Sequence, residues 1–181
     1  SWLLDINSLL YRHADLPSIN NSLRRIAEYL NSDRAFILLT EKDDQSSVFA
    51  EWSNNSLPSM SHLTTSFFNF THETYKQHSF EDVRQEDIAS DIKFRAKELG
   101  IQSQLITPIY TNEILSGYFI LQRKIPSEFT DPLLKSLKSL ATTFSLVITK
   151  THILSELELR QERFHLAMEA AAYGLWELNL T

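Results

Sequence analysis

Apolar residues at Leu3, Ile6, Leu9 and Leu10 recur at helical spacing and predict a first helix over residues 2–12. Leu16-Pro17-Ser18 interrupts that stripe. Ser18 is placed to cap a second helix with Ile19, Leu23, Ile26, Ala27 and Leu30 on one face. Ala35 to Thr40 is apolar without alternation, the pattern of a strand covered on both sides. After a polar turn at 43–46, Val48, Ala50 and Trp52 alternate with polar residues and predict an antiparallel partner strand.

Residues 53–99 are the least regular stretch. Residues 53–61 read as a loop, 63–70 as a short strand and turn, 72–78 as one or two helical turns, and 88–99 as a short helix stopped by Gly100. The stretch carries Phe67, Phe68, Phe70, Tyr75, Phe80 and Phe94, too many aromatics for a solvated loop, so it is expected to lie over the sheet as a lid or cavity wall. A hairpin follows, with strands at 101–110 and 114–122 around a turn in which Asn112 is the residue best suited to positive φ. Both faces of 114–122 are apolar, which makes it a second central strand, and Gly117 leaves room for a close neighbour.

Pro132 opens a long helix with no further Pro or Gly before Gly174. Leu133, Leu137, Leu140, Phe144, Val147, Thr151 and Leu154 follow a 4-3 spacing, which reads as about three heptads of a seam. Beyond Leu154 the stripe moves to Leu157, Phe164, Ala167 and Ala171. From 132 to 172 such a helix spans roughly 60 Å, more than a small domain needs. A homodimer through Leu133, Leu137, Leu140, Phe144, Val147 and Leu154 is therefore expected.

Composition narrows the function classes. The 181 residues are 43 % hydrophobic and 22 % charged, a balance that supports a real core. A net charge of −6 gives no footprint for nucleic acid and argues against an anionic membrane surface. No apolar run approaches the roughly 20 residues of a membrane span, and no signal peptide is visible, so a cytoplasmic module is expected. Cysteine is absent, which excludes disulfides, thiolate catalysis and thioether-linked chromophores. Three glycines, Gly100, Gly117 and Gly174, are too few and too scattered for a phosphate-cradling loop.

The order helix, helix, strand, strand, aromatic excursion, helix, hairpin, long helix resembles the GAF domain, a sensor fold related to PAS. The resemblance rests on Asp33-Arg34-Ala35-Phe36-Ile37-Leu38, on Gly100-Ile101-Gln102-Ser103 leading to Pro108-Ile109, on Gly117 to Leu121, and on Phe129-Thr130. It implies an α+β fold in α/β/α layers: a central, mainly antiparallel sheet, N-terminal helices and a long C-terminal helix. A second resemblance, from Arg163 to Ala171 and then Gly174-Leu175-Trp176-Glu177-Leu178, is to the entry helix and first strand of a PAS domain. The implied organisation is a sensor domain at 1–150, a connecting helix at 151–172 and the truncated start of a PAS domain at 173–181, so that the chain is a piece of a larger protein.

These resemblances imply a non-catalytic sensor and dimerisation module of a bacterial signalling protein. PAS and effector domains would follow in cis, the effector being a cyclic-di-GMP synthase (GGDEF) or hydrolase, or a histidine kinase. The cyclic-nucleotide motif of some GAF domains is missing, and without Cys no covalent bilin is expected. The sequence thus points to no cofactor and no metal, only an unidentified small ligand. Its candidate contacts are Trp52, Phe67, Phe70, His72, Tyr75, Ser103 and Tyr118, a mostly apolar set with a few polar groups. Two rivals remain: a spacer with a filled core, and a small enzyme using His62, His72, His78, Glu73 and Asp82 beneath a lid.

Overall fold

A computed structural model describes residues 2–12, 15–40, 46–60, 78–86 and 90–178. The described chain forms two units, 1–147 and 148–181. In the first, α1 (Trp2–Arg12) and α2 (Leu16–Tyr29) precede β1 (Arg34–Thr40) and β2 (Ser46–Ser53). Then come β3 (His78–Phe80), α3 (Ser90–Leu99), β4 (Ser103–Thr111), β5 (Ile114–Arg123) and the start of α4 (Asp131–Leu178).

The five strands form one sheet in the order β2-β1-β5-β4-β3, and every pairing is antiparallel. β1 and β5, the two strands apolar on both faces, lie inside the sheet as their sequence requires. Gly117 shows why β5 needs a glycine there: a Cβ would sit 2.1 Å from the Leu38 carbonyl oxygen of β1. Asn112 and Glu113 both take positive φ at the hairpin turn, and Gly100 (φ +67°) ends α3.

Alternation along the strands fixes two faces. One carries Ala35 and Ile37 of β1 and Phe119 and Leu121 of β5; α4 packs on it, with Phe119 and Phe144 rings 5.2 Å apart. Thr143 Oγ1 of α4 donates to Asn7 Oδ1 of α1, and Thr111 of β4 shares a hydroxyl–hydroxyl hydrogen bond with Ser145. The other face carries Phe36, Leu38, Ile106, Tyr118 and Ile120, packed with Leu57, Met60, Phe80, Ala96, Leu99 and Ile101. The three-layer arrangement expected from the sequence is therefore present, with α3 and the 54–60 segment covering this second face.

Several boundaries differ from expectation. α2 starts two residues before Ser18, because Asp15 is the cap: its carboxylate accepts from Ser18 N–H at 2.7 Å, and Pro17 sits in the first turn, where its missing N–H costs nothing. β3 was not foreseen; at three residues it is too short for a periodic signal. The strand expected near the C-terminus is helix instead, since α4 continues through Leu178 and a lone Gly174 does not stop it.

The expected dimer seam is also corrected. Leu137, Leu140, Phe144 and Val147 are buried inside this single chain and Leu133 is half-buried, so they face its own core; of the six positions only Leu154 is exposed. A 4-3 stripe reads the same whether it packs on a sheet or on a second helix. The second unit, from Ile148, is helical through Leu178, and Ile153, Leu154, Leu157, Leu159, Phe164, Leu166 and Met168 are exposed on it.

Candidate functional site

The second sheet face joins a buried apolar centre to a group of polar side chains. Its apolar centre is Phe36 and Leu38 from β1, Tyr118 and Ile120 from β5, and Ile106 from β4. The same parity that points Phe36 and Ile120 there also brings Arg34, Glu51, Gln104 and Gln122, because Phe36 pairs with Glu51, and Arg34 and Gln104 each pair with Gln122. An apolar floor thus ends in a polar cluster.

Arg34 is fully buried. One Nη donates to Gln122 Oε1 at 2.7 Å and to the Met60 sulfur at 2.9 Å; the other donates to Pro58 O at 2.6 Å. Gln122 Nε2 then donates to Gln104 Oε1 at 2.6 Å, so Arg34 sets the orientation of both amides. Nε of Arg34 lies 3.6 Å from Glu51 Oε1 and makes no hydrogen bond. Burial pushes the guanidinium below its usual pKa, and the Glu51 carboxylate opposes that shift. Glu51 in turn accepts from Met60 N–H, at 2.8 and 3.0 Å to its two oxygens, and from Ser59 Oγ at 2.8 Å.

Arg34 and Glu51 together clamp one short strap, residues 54–60. Its start is tied by Asp33, whose carboxylate accepts from Asn54 Nδ2 at 2.6 Å and from Lys124 N–H at 2.8 Å. Leu57 and Met60 point into the core, while Pro58 and Ser59 remain exposed.

Of the seven residues expected to hold a ligand, the three that are described do not share one face. Tyr118 lies on the floor. Ser103 lies on the opposite face, since it pairs with Arg123 and donates to Ile125 O at 2.8 Å. Trp52 pairs with Ala35 and shares that opposite face. A strand reverses its facing at each residue, so neither reaches Tyr118. Phe67, Phe70, His72 and Tyr75 lie outside the described residues, as do His62 and Glu73 of the lid reading. Asp82 is spent on a surface pair with Arg84, at 2.8 Å. Among the described residues no group of three His, Cys, Asp or Glu side chains is placed to hold a metal, and no helix is long and apolar enough to cross a membrane.

Sequence reading missed the Arg34 cluster. The signal was there: a lone cation at the same parity as Phe36 and Leu38, opening a strand otherwise free of charge. A second buried cation, Arg123, works on the other face, donating to Leu30 O at 2.7 Å and lying 5.0 Å over the Phe129 ring. Burial lowers its pKa too, against the pull of Asp33.

A family model described as "GAF domain" matches residues 18–148. No curated protein sequence matches. Solved structures match in fold at low identity. The phycoerythrobilin-bound GAF domain of a cyanobacterial phytochrome is 17% identical, covering 85% of this chain and 96% of its own, with a TM-score of 0.71. The phycocyanobilin-bound GAF domain of a cyanobacterial phytochrome is 19% identical, covering 84% and 94%, with a TM-score of 0.67. A domain of a putative two-component sensor histidine kinase from Sinorhizobium meliloti 1021 is 20% identical, covering 81% and 98%, with a TM-score of 0.63. The bilin-bound neighbours overturn the expectation of no cofactor: a linear tetrapyrrole belongs among the candidate ligands of this fold.

Proposed function

Because the chain belongs to the GAF domain family, we propose that it is a regulatory sensor and dimerisation module that passes ligand binding on one sheet face to a C-terminal effector. The observation that carries this reading is the division of labour between the two faces. One joins a buried apolar cluster to a group of polar side chains, the composition of a small-molecule site. The other seats Leu137, Leu140, Phe144 and Val147 of α4, the helix that continues to Leu178. A ligand that prefers one packing of sheet against α4 shifts the population of that packing, and the helix carries the difference onward.

A linear tetrapyrrole is compatible with the chemistry of the floor. Val48 and Leu115, partly buried and packed against the buried apolar cluster, would give its rings apolar contact. With no Cys in the sequence, such a chromophore is held without a thioether. The exposed apolar row on α4 supports dimerisation, since a helix of this kind gains most of its stability from packing its apolar side. The effector we favour is a cyclic-di-GMP synthase or hydrolase, then a histidine kinase, reached through a PAS domain; the sensor-kinase neighbour supports the second choice. The domain itself is non-catalytic in this reading.

Thermal denaturation of the full chain against a metabolite panel that includes biliverdin tests the proposal, because a ligand that binds only the native state raises its stability. At least one compound is expected to raise the midpoint, and Tyr118→Ala to abolish that rise. A panel without effect favours the spacer reading.

A further inference from the structure

The strap at 54–60 is held as a ligand would be. Two charged groups of the sheet, 3.6 Å apart, divide one stretch of backbone between them: Arg34 takes the Pro58 carbonyl, and Glu51 takes the Met60 N–H. The Met60 side chain is fully buried in the apolar cluster that also holds Phe36, Leu57, Leu99 and Ile120, and this is its socket. An acceptor group, an N–H donor and an unbranched apolar side chain are thus read together.

We propose that this is a binding site for an apolar α-amino acid and that residues 58–60 occupy it as an internal substitute. The ligand's carboxylate meets Arg34, its ammonium meets Glu51, and its side chain enters the Met60 socket. The inference rests on the sensor reading above and names the ligand class for the polar end of the same floor.

Charge balance selects the zwitterion. Arg34 and Glu51 already neutralise each other, so a free carboxylate would bring a second anion beside Glu51, and an amine a second cation beside Arg34. A zwitterion brings both charges, each against its opposite. The present occupant leaves Arg34 room for improvement: one of its hydrogen bonds goes to a thioether, a weak acceptor, and the buried Nε makes none. A carboxylate would accept two parallel guanidinium N–H bonds in place of one carbonyl and one sulfur. Ligand and strap compete for the same partners, so binding frees the strap from Arg34 and Glu51 while the fold as a whole gains stability.

The test uses the full chain and four probes: L-methionine, L-methioninol without the carboxylate, N-acetyl-L-methionine without the ammonium, and glycine without the side chain. L-methionine is expected to raise the melting midpoint by about 2 °C or more at millimolar concentration. The other three are expected to leave it unchanged. Met60→Ala empties the socket and should tighten L-methionine binding about tenfold, by removing the competing occupant. Should that variant not fold, Ser59→Ala removes one strap contact to Glu51 from an exposed position and should tighten binding in the same direction. Amide exchange at Met60 should speed up with ligand bound. Equal shifts from methionine, methioninol and N-acetylmethionine would overturn the inference, as would slower exchange at Met60. No effect of methionine on parent or variant also overturns it; a hit elsewhere in the metabolite panel then leaves the sensor reading standing, and a panel without hits removes both.

Discussion

At the scale of single residues, the most demanding positions are Gly117 and Arg34. Gly117→Ala would drive a Cβ to 2.1 Å from the Leu38 carbonyl oxygen, and backbone cannot move aside as a side-chain end can. The expected loss is about 3 kcal/mol or more, read by urea denaturation, with the β1–β5 pairing as the first casualty. Arg34→Met removes the cation and leaves Glu51 beside an apolar side chain; breaking a largely buried pair in this way costs about 3–5 kcal/mol. A loss below 1 kcal/mol would show that the cluster does not hold the strap. Asp82 provides a pH marker at the surface. Hydrogen bonds from Arg84 hold its carboxyl at about 2, below the ordinary 3.8. Its folded pKa is depressed, so its small contribution to stability is complete above the unfolded value and disappears as pH falls through about 2. In Arg84→Ala, an NMR titration of Asp82 should move up toward the ordinary carboxylate range without reaching it, because the backbone N–H of residue 84 still donates to the carboxylate.

Elements show what periodicity can and cannot reveal. Strands β1, β2, β4 and β5, the helix ending at Gly100 and the start of α4 were legible, because each carries a run of apolar residues or a capping signal long enough to stand out. The interior positions of β1 and β5 were legible for the same reason. The site was mostly not. Ser103 and Trp52 were grouped with Tyr118 by chemistry, but facing depends on register, and the register across β2 includes a bulge between Ile37 and Leu38 that sequence does not announce. Arg34, Glu51 and Gln122 come from three separate strands and meet only in the paired sheet. Burial also reverses one expectation for α4: Leu140→Asp or Phe144→Asp should unfold the first unit, not merely dissociate a dimer, because both side chains are fully enclosed. Loss of the near-UV circular dichroism signal would show this, and a folded monomer would contradict it.

Across the whole molecule, the GAF domain supplies a sheet with one face for α4 and one that we propose for a ligand. The association surface we propose lies on the exposed row Ile153, Leu157, Phe164 and Met168, beyond the core-facing residues. Leu157→Glu together with Phe164→Glu should give a folded monomer by light scattering, with the thermal transition of the first unit intact. If the parent is itself monomeric at micromolar concentration, dimerisation drops out of the account while the sensor face is untouched. The claim on which the rest depends is that the face carrying Phe36, Leu38 and Tyr118 receives a small molecule. Native mass spectrometry of the full chain, mixed with a small-molecule metabolite fraction, tests it most directly, with Tyr118→Trp as the comparison because the larger ring fills the floor. The account predicts one adduct per chain on the parent, released on denaturation and absent from the variant. A bare parent, or an adduct retained unchanged by Tyr118→Trp, would contradict it.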